Sequence, residues 1–286
     1  MTSLWFELTI DVLPEHGDSV ANFLMEHGSP GIESQELPKR TRLTAYFSSR
    51  PPIEALRRYC ADISHPHEPP PHIQMREFTA EDWAENWKVH FQPQCVGTHL
   101  YICAPWATTP PPGRIAIVID PGMAFGTGQH PTTRGCLHLL EWAAQNRGVR
   151  RAADVGTGSG ILAIALAKLG VPEVWAIDID ANARVIAQAN ARHNHVDGLI
   201  HVVPSLDGAV PTFDVLVANL FADLLFEQAS RLSRAVESHG LLICSGFLQA
   251  DEGRVCAAYD ELGLTPRKRF EEDSWVTLAF GRQTSP

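Results

Sequence analysis

A glycine-rich segment, DVGTGSG from Asp154 to Gly160, has residue types suited to binding a small charged ligand. It follows a predicted buried strand and precedes a predicted helix, and its glycines, among them Gly156 and Gly158, let the backbone approach a ligand closely. The dinucleotide fingerprint GxGxxG requires a glycine at position 161, where this chain has Ile161. A carboxylate at Asp154 would repel a pyrophosphate and attract a cation. The segment therefore favours S-adenosylmethionine, which carries an ammonium and a sulfonium and no phosphate.

Two acids end the next predicted strand, in the motif IDID. An acid about twenty residues beyond a glycine loop is placed to bind the two hydroxyls of a ribose, because a carboxylate accepts two hydrogen bonds. We therefore predict that Asp178 binds the ribose. Asp180 precedes the predicted helix at 181–193 and is expected to cap it.

Asn219 stands at the carboxyl end of a later predicted strand, in FDVLVANLFADLL. Its amide oxygen can accept a hydrogen bond from an incoming amine without burial of a charge, so Asn219 is a candidate catalytic residue beside the methyl group. The structural alternative is that Asn219 caps the helix that follows. Enzymes that methylate planar amides usually carry two prolines and an aromatic after this residue, whereas this chain has Leu220, Phe221 and Ala222. Planar amides are therefore disfavoured as substrates.

A second glycine-rich segment, DPGMAFGTGQHPTT from Asp120 to Thr133, precedes a predicted helix near 132–144. Its glycines at 122, 126 and 128 let the backbone approach a ligand, and its threonines offer hydroxyl groups as hydrogen-bond partners. We interpret the segment as a second wall over the cofactor, and a tight turn is the simpler alternative. His130 precedes a proline and is interpreted as structural rather than as a general base.

The chain from about residue 150 alternates strands and helices, which is the pattern of a doubly wound parallel sheet. Two strands at the C-terminal end are too close in sequence for a parallel crossover and must be antiparallel. The predicted strands are 151–155, 174–179, 200–203, 213–218, 241–245, 266–270 and 275–280. The predicted helices are 161–169, 181–193, 222–236 and 250–262. This order predicts an α/β domain with a seven-stranded sheet.

The first seventy or so residues predict a smaller α+β domain. Its strands are predicted at 4–12, 31–36 and 43–47, and its helices at 16–27 and 52–63. The proline-rich SHPHEPPPH that follows is expected to be a stiff exposed loop, and its histidines lack acidic or thiol partners at ligand spacing, so we predict no metal site. Trp83, Trp87 and Phe91 then recur at the interval of one helix face and predict an amphipathic connecting helix.

The composition excludes several classes of protein. Lys and Arg total 23 against 33 Asp and Glu, and the net charge of −10 opposes binding to nucleic acid. The chain has no apolar run of about 18 residues and no secretory signal pattern, so we predict a cytoplasmic protein with no membrane span. Its 6 cysteines form no CxxC pair, which argues against a disulfide framework and against a zinc site.

Taken together, these motifs resemble those of a known family. The segments EDWAENWKVHFQP, DPGMAFGTGQHPTT, DVGTGSGILAIAL, AIDID and VANL resemble the bacterial ribosomal-protein methyltransferases known as PrmA, most densely between residues 78 and 247. That family methylates the large-subunit ribosomal protein numbered eleven, on lysine side chains and on its N-terminal amine. The resemblance implies a basic ribosomal protein as the partner, and we expect a monomeric enzyme.

The resemblance also implies roles for individual residues. The contacts to S-adenosylmethionine that it implies are Thr133, Gly156, Asp178 and Asn219. From the glycine-rich segments themselves we add, as predicted cofactor-binding residues, Asp154 and Gly158 of the first segment and Gly126, Thr127 and Gly128 of the second. The expected lining of the methyl-transfer site is Phe125, Gly126, Thr127 and Gly128. Thr133 and Phe125 join Asn219 as candidate catalytic residues. The family commonly has His or Thr at position 129, where this chain has Gln129, so we assign Gln129 no role.

The domain organisation that the resemblance implies has three parts. A ferredoxin-like domain at 1–75 would recognise the substrate, and a flexible helical linker at 76–104 would let this domain reorient. Residues 105–286 would form a Rossmann-like methyltransferase domain that uses S-adenosylmethionine.

The predicted reaction is an in-line transfer of a methyl group from the sulfonium to a neutral amine. Deprotonating a lysine of pKa ~10.4 at pH 7 costs about 4.6 kcal/mol, and a neighbouring sulfonium and removal from water both reduce this cost. Three alternatives remain open from the residues alone. They are a methyltransferase of another protein lysine or of a small-molecule amine, a nicotinamide-dependent oxidoreductase, and a module that binds the cofactor without turnover.

Overall fold

The computed structural model describes residues 4–29, 31–65, 68–79, 92–107, 109–120, 128–207 and 211–282. The chain forms two compact units, Met1–Phe91 and Gln92–Pro286. Within the described ranges, no helix combines the length and the apolar composition needed to cross a lipid bilayer. The connecting helix predicted from Trp83, Trp87 and Phe91 lies outside the described residues.

The N-terminal unit contains a four-stranded antiparallel sheet. Its elements are β1 (Leu4–Val12), α1 (Gly17–Glu26), β2 (Ile32–Leu37), β3 (Arg40–Phe47), α2 (Ile53–Ile63) and β4 (His72–Thr79). The sheet order β2-β3-β1-β4, with this order of elements along the chain, is that of the ferredoxin-like fold. The predicted ferredoxin-like fold is thus confirmed, and β4 continues it beyond residue 75.

Alternating apolar and polar residues give this sheet one buried face. Leu8 and Ile10 of β1 and Ala45 of β3 are fully buried. They pack in one cluster with Leu24 of α1 and Leu56 of α2. The N-terminal unit therefore has a hydrophobic core of its own.

A three-stranded sheet opens the C-terminal unit, and two of its strands lie in the span predicted as the helical linker at 76–104. β5 (Gln94–Val96) and β6 (Leu100–Cys103) pair antiparallel, and β7 (Ile115–Val118) joins β6 in parallel. The strand β6 forms here in place of a linker helix because Leu100 and Ile102, two residues apart, are both fully buried, as suits one face of a strand. Residues 94–103 of the predicted linker are therefore two strands joined by a turn.

A seven-stranded sheet forms the centre of the C-terminal unit. Its strands are β8 (Arg151–Val155), β9 (Glu173–Ile177), β10 (Ile200–Val203), β11 (Phe213–Asn219), β12 (Val236–Leu248), β13 (Leu264–Glu272) and β14 (Trp275–Arg282). The helices described around it are α3 (Pro131–Asn146), α4 (Ile161–Lys168), α5 (Ala181–His193), α6 (Ala222–Glu227), α7 (Ala229–Ala235) and α8 (Glu252–Asp260). These elements confirm the predicted α/β fold with seven strands.

The strand order β10-β9-β8-β11-β12-β14-β13 places the change of winding direction at β8. β8 pairs in parallel with β9 on one side and with β11 on the other. The carboxyl ends of these three strands therefore meet at one edge of the sheet, where α/β proteins bind ligands. The last two strands are antiparallel as predicted, and β14 lies between β12 and β13.

The connection between β11 and β12 differs from the single helix predicted at 222–236. It forms α6 and α7, which are separated at Gln228, and Val236 already has an extended backbone with ψ of 133°. Val236 is buried and pairs with Phe213 of β11. Tertiary packing therefore draws the end of the predicted helix into β12.

Candidate functional site

The first glycine-rich segment, between β8 and α4, has a backbone that requires glycine. Gly156, Gly158 and Gly160 have φ values of 75°, 51° and 83°, all in the left-handed region. A Cβ atom at Gly160 would lie 3.1 Å from Cα of Ala187 in α5, so glycine allows the two helices to approach here. The N–H of Gly156 donates to the carbonyl of Ile177 at 2.8 Å, which ties the loop to the end of β9.

Asp178 follows β9 and contacts this loop directly. Its Oδ2 accepts a hydrogen bond from the N–H of Gly158 at 3.0 Å, and its Oδ1 accepts one from the N–H of Asp180 at 3.0 Å. Each carboxylate oxygen keeps a further lone pair for a ligand hydroxyl. The half-buried Asp178 is therefore held in an orientation that suits the predicted ribose contact. Asp180 caps α5, as predicted, by accepting from the N–H of Asn182.

Ile179 is a candidate site residue that the sequence did not single out. It stands between the two acids with 91% of its surface exposed. A large apolar side chain this exposed, at the ligand-binding edge of the sheet, offers a contact surface to a planar base. β9 ends at Ile177, whereas the predicted strand extends to residue 179, so Ile179 lies beyond the strand rather than within it.

Asp154 supports the glycine loop from inside the protein. The residue is 1% exposed, and its Oδ2 accepts hydrogen bonds from Thr157 Oγ1 at 2.6 Å and from the N–H of Ala163 at 3.2 Å. Its Oδ1 is buried with no hydrogen-bond partner in the part of the chain that the structure describes. Burial raises the pKa of Asp154 to about 7, although the two hydrogen bonds act in the opposite direction. A cationic ligand group near Oδ1 would stabilise the charged carboxylate and so lower the pKa of Asp154, which fits the predicted attraction of Asp154 for a cation.

Asn219 ends β11, directly after the residue that pairs with Val155 of β8. Its Nδ2 donates a hydrogen bond to Thr132 Oγ1 at 3.2 Å, and its carbonyl oxygen has no partner among the described residues. The N-cap of α6 is Phe221, with no side-chain hydrogen bond. The alternative in which Asn219 serves only as a helix cap is therefore wrong.

Thr132 and His130 extend this contact into a short chain of hydrogen bonds. Thr132 Oγ1 lies 2.8 Å from His130 Nδ1, and the N–H of Thr132 donates to the same nitrogen at 3.3 Å. His130 is the N-cap of α3, which agrees with its structural interpretation. Burial, together with the neighbouring Arg134, lowers the pKa of His130, so the ring is neutral at pH 7 and its Nδ1 acts as an acceptor.

Thr133 lies in the first turn of α3 and is 1% exposed. Its hydroxyl has no hydrogen-bond partner within the described ranges. Leaving a buried hydroxyl unpaired costs about 1–3 kcal/mol, and a ligand that bonds to it would recover this energy. The observation fits the predicted contact between Thr133 and the cofactor.

Gly128 places the end of the second glycine-rich segment against the first. Its φ is 90°, and a Cβ atom there would lie 2.8 Å from Cγ2 of Ile102 in β6 and 3.1 Å from Cδ1 of Ile161 in α4. The carbonyl of Gly128 accepts a hydrogen bond from Gln94 Nε2 at 2.9 Å. Since Ile161 directly follows Gly160, the two segments lie close together, as a second wall requires. Three predicted residues lie outside the described ranges: Phe125, Gly126 and Thr127.

The predicted residues that the structure describes thus converge on the edge formed by β8, β9 and β11. Direct contacts link Gly158 to Asp178, and Asn219 to the residue preceding Thr133. A Cβ atom at Gly156 would lie 2.5 Å from the side chain of Leu220, the neighbour of Asn219. The edge combines exposed glycine backbone, a carboxylate, an amide and two unpaired buried oxygens, which suits a polar ligand with a cationic group.

Comparisons with known proteins agree with this arrangement. A family model described as "Ribosomal protein L11 methyltransferase (PrmA)" matches residues 4–283. The ribosomal protein L11 methyltransferase of Chloroflexus aurantiacus is 35% identical over 98% of this chain and 99% of its own. The ribosomal protein L11 methyltransferase of Syntrophotalea carbinolica is 37% identical over 98% of this chain and 99% of its own. The crystal structure of a ribosomal protein L11 methylase from Lactobacillus delbrueckii subsp. bulgaricus matches with a TM-score of 0.62 at 31% identity, over 68% of this chain and 100% of that one.

These matches confirm the resemblance drawn from the motifs. They confirm the predicted methyltransferase class and fold, with S-adenosylmethionine as the cofactor, and they make the nicotinamide-dependent oxidoreductase alternative wrong. Because the family model spans nearly all of the sequence and the relatives align over almost their full lengths, the chain belongs to the PrmA family of ribosomal protein L11 methyltransferases.

Proposed function

We propose that this protein transfers methyl groups from S-adenosylmethionine to lysine side-chain amines and to the N-terminal amine of ribosomal protein L11. The observation that carries the proposal is the orientation of Asn219, whose amide nitrogen is engaged by Thr132. Its carbonyl oxygen is thereby left to accept a hydrogen bond, which an amine can donate and a carboxylate cannot. The names of the family and of its relatives support L11 as the carrier of that amine.

The residues at this edge fit different parts of the cofactor. Asp178 would accept hydrogen bonds from the ribose hydroxyls, and the exposed Ile179 would contact the adenine. The backbone of the loop at 156–160 would approach the ligand closely because its glycines carry no side chains. The unpaired oxygens of Thr133 and Asp154 would then gain partners, with Asp154 toward the ammonium.

When bound, the cofactor supplies a methyl group activated by its sulfonium. Asn219 Oδ1 would accept a hydrogen bond from the substrate amine and hold the nitrogen lone pair toward that methyl group. Such orientation contributes up to about 7–11 kcal/mol in favourable cases. The amine must be neutral, and removal from water at this half-buried edge lowers its pKa and so reduces the cost of deprotonation.

No described residue at this edge is required as a general base. The ring of His130 is neutral, but its Nδ1 faces Thr132, and the ring makes a T-shaped contact with Trp275, with the ring centroids 4.9 Å apart. His130 therefore serves to position Thr132, and through it Asn219. We propose that water carries the proton away.

Mass spectrometry of L11 after incubation with the enzyme and S-adenosylmethionine tests the proposal. Wild type is expected to raise the mass of L11 in methyl steps, and Asn219→Ala is expected to lower the initial rate by at least about 10²-fold, as for other positioned hydrogen-bonding groups. Asn146→Ala, which changes an exposed amide at the end of α3, is the matched control and should keep the wild-type rate. An unchanged rate in Asn219→Ala would contradict the role given to its amide.

A second candidate is a methyltransferase of another protein lysine or of a small-molecule amine. It has support because the carbonyl oxygen of Asn219 does not by itself distinguish one amine from another. Incubating the enzyme with L11 and with an unrelated lysine-rich protein, at equal concentrations, separates the two. Equal mass gain in both proteins would favour the second candidate.

We also propose that the protein is a cytoplasmic monomer that does not bind nucleic acid directly. The net charge of −10 supports the absence of direct nucleic-acid binding, because a negatively charged protein repels phosphate backbones. Light scattering coupled to size-exclusion chromatography would measure the mass in solution, and a mass near 31.5 kDa is expected.

A further inference from the structure

Two histidines and two glutamates of the N-terminal unit converge near the start of α1. His16 Nε2 lies 3.2 Å from Glu68 Oε2 and 3.9 Å from Glu15 Oε1. His65 Nε2 lies 3.4 Å from the same oxygen of Glu15. The ligand atoms of Glu15, His16 and His65 all lie within 4.8 Å of one another. Folding thus supplies the histidines of the proline-rich loop with acidic partners that residue spacing did not show.

We propose that Glu15, His16, His65 and Glu68 bind one divalent transition-metal cation, with Zn²⁺ as the expected ion. Imidazole nitrogens combined with carboxylate oxygens form a ligand set of Zn²⁺, whereas Mg²⁺ and Ca²⁺ select oxygen ligands. Four ligands at about 2.0–2.2 Å from a tetrahedral ion stand about 3.3–3.6 Å from one another. For three of the six ligand pairs, the observed distances of 3.2, 3.4 and 3.9 Å already lie near this range.

The inner half of this cluster is already held in place. The side chains of His16 and Glu68 are 12% and 11% exposed. Glu68 Oε2 also accepts a hydrogen bond from the N–H of His65 at 3.0 Å, which orients the carboxylate toward His16.

The outer half of the cluster is open to solvent. The side chains of Glu15 and His65 are 59% and 71% exposed, so an ion can enter from solution without opening the core. His16 ends the 3₁₀ turn before α1, whereas His65 and Glu68 belong to the connection between α2 and β4. A bound ion would cross-link these two parts and stabilise the N-terminal unit, because the unfolded chain does not hold the ligands together.

This inference stands apart from the proposed methyl transfer. All four residues belong to the N-terminal unit, whereas β8, β9 and β11 belong to the C-terminal unit, so the two proposed sites share no residue. A failure of either proposal therefore leaves the other unaffected.

Calorimetric titration of the full-length protein with Zn²⁺, at about pH 7.5, tests the site. The protein must carry no polyhistidine tag, and a Cys95→Ser background removes the exposed thiol as a competing ligand. We expect one Zn²⁺ per chain and a higher Tm with the ion. Glu15→Gln and His65→Ala should each weaken binding at least about tenfold. His193→Ala, exposed at the end of α5, is the matched control and should bind as the background protein does.

Two further measurements separate a metal site from simple surface ion pairs. Bound Co²⁺ should give the visible absorption bands of four-coordinate cobalt in the background protein and not in His65→Ala. The circular dichroism of both test variants should match that of the background protein, because the substituted side chains are exposed. The absence of saturable Zn²⁺ binding, or equal binding by His65→Ala and His193→Ala, would overturn the proposal.

Discussion

Asp154 is a buried acid whose ionisation opposes folding. Burial raises its pKa to about 7 from an ordinary 3.8, so the folded protein binds this proton more tightly than the unfolded chain does. Between about pH 4 and pH 7 the free energy of unfolding should therefore fall as pH rises, by at most about 1.4 kcal/mol per pH unit from this group. Above about pH 7 the carboxyl is ionised in both states, and it adds no further pH dependence.

Asp154→Asn is expected to remove that pH dependence, because its amide does not titrate. Urea unfolding at about pH 5 and about pH 7 should show wild type losing more stability between the two conditions than the variant does. The affinity for S-adenosylhomocysteine, measured between about pH 6 and pH 8, should rise with pH in wild type and stay flat in the variant, because only a charged Asp154 attracts the ligand's ammonium. Parallel pH profiles in the two proteins would contradict this role.

Thr132 holds the amide of Asn219 through a single hydroxyl group. Thr132→Val removes that hydroxyl, so the amide loses its orientation, and we expect kcat to fall about tenfold, or about 1.4 kcal/mol in activation free energy. KM for L11 should change little, because Thr132 is buried and positions another residue. Thr132→Ser keeps the hydroxyl and should restore kcat. Equal kcat in the Val and Ser variants would show that the hydroxyl has no positioning role.

Among the helices, the close packing of α4 on α5 depends on Gly160. Gly160→Ala would add strain at φ of 83° and a contact of 3.1 Å with backbone of α5. Gly170→Ala is the matched control, since Gly170 has φ of 97° and no atom within 4 Å of the Cβ position. We expect both to lose about 1–2 kcal/mol from backbone strain, and Gly160→Ala to lose about 1 kcal/mol more from overpacking. Urea unfolding measures the difference in stability between the two variants. Equal losses of stability would mean that α5 moves away from the added methyl group without cost, and would contradict the role given to Gly160.

The elements that position the site were largely predictable from local patterns. The strand at 151–155 and the helix at 181–193 were predicted with the observed bounds, because a short apolar run and a capping aspartate mark them clearly. The glycine loop and Asp178 followed from the known placement of ligands at such strand ends. The antiparallel order of β13 and β14 followed from the shortness of their connection.

Features that depend on distant contacts were not predictable in this way. The strand β6 has only four residues, too few for a periodic pattern, and its burial depends on β5 and β7. The inward direction of Asp154 depends on its bond to Ala163 in the next helix. The cluster of Glu15 with His65 joins residues from separate elements, which no spacing rule connects.

The two compact units each have a hydrophobic core, which bears on how substrate is recognised. A chain that begins at Gln92 is expected to fold and to bind S-adenosylhomocysteine, because every described site residue lies beyond that point. Its kcat/KM for L11 should fall at least about tenfold, since the predicted substrate-recognition domain is lost. Calorimetry checks binding, and mass spectrometry checks turnover. Undiminished turnover of L11 by this shorter chain would show that the N-terminal unit does not recruit the substrate.

The position of β14 inside the seven-stranded sheet has a consequence for synthesis of the protein. β14 lies between β12 and β13, and its Val276, Leu278 and Phe280 fill the same cluster as β12. During translation the N-terminus of the chain emerges first. The edge of β12 that pairs with β14 therefore stays unpaired until residues up to Arg282 have left the ribosomal exit tunnel. The nascent domain must therefore remain open along an apolar seam until β14 has emerged, and this is the interval in which it is most exposed to aggregation.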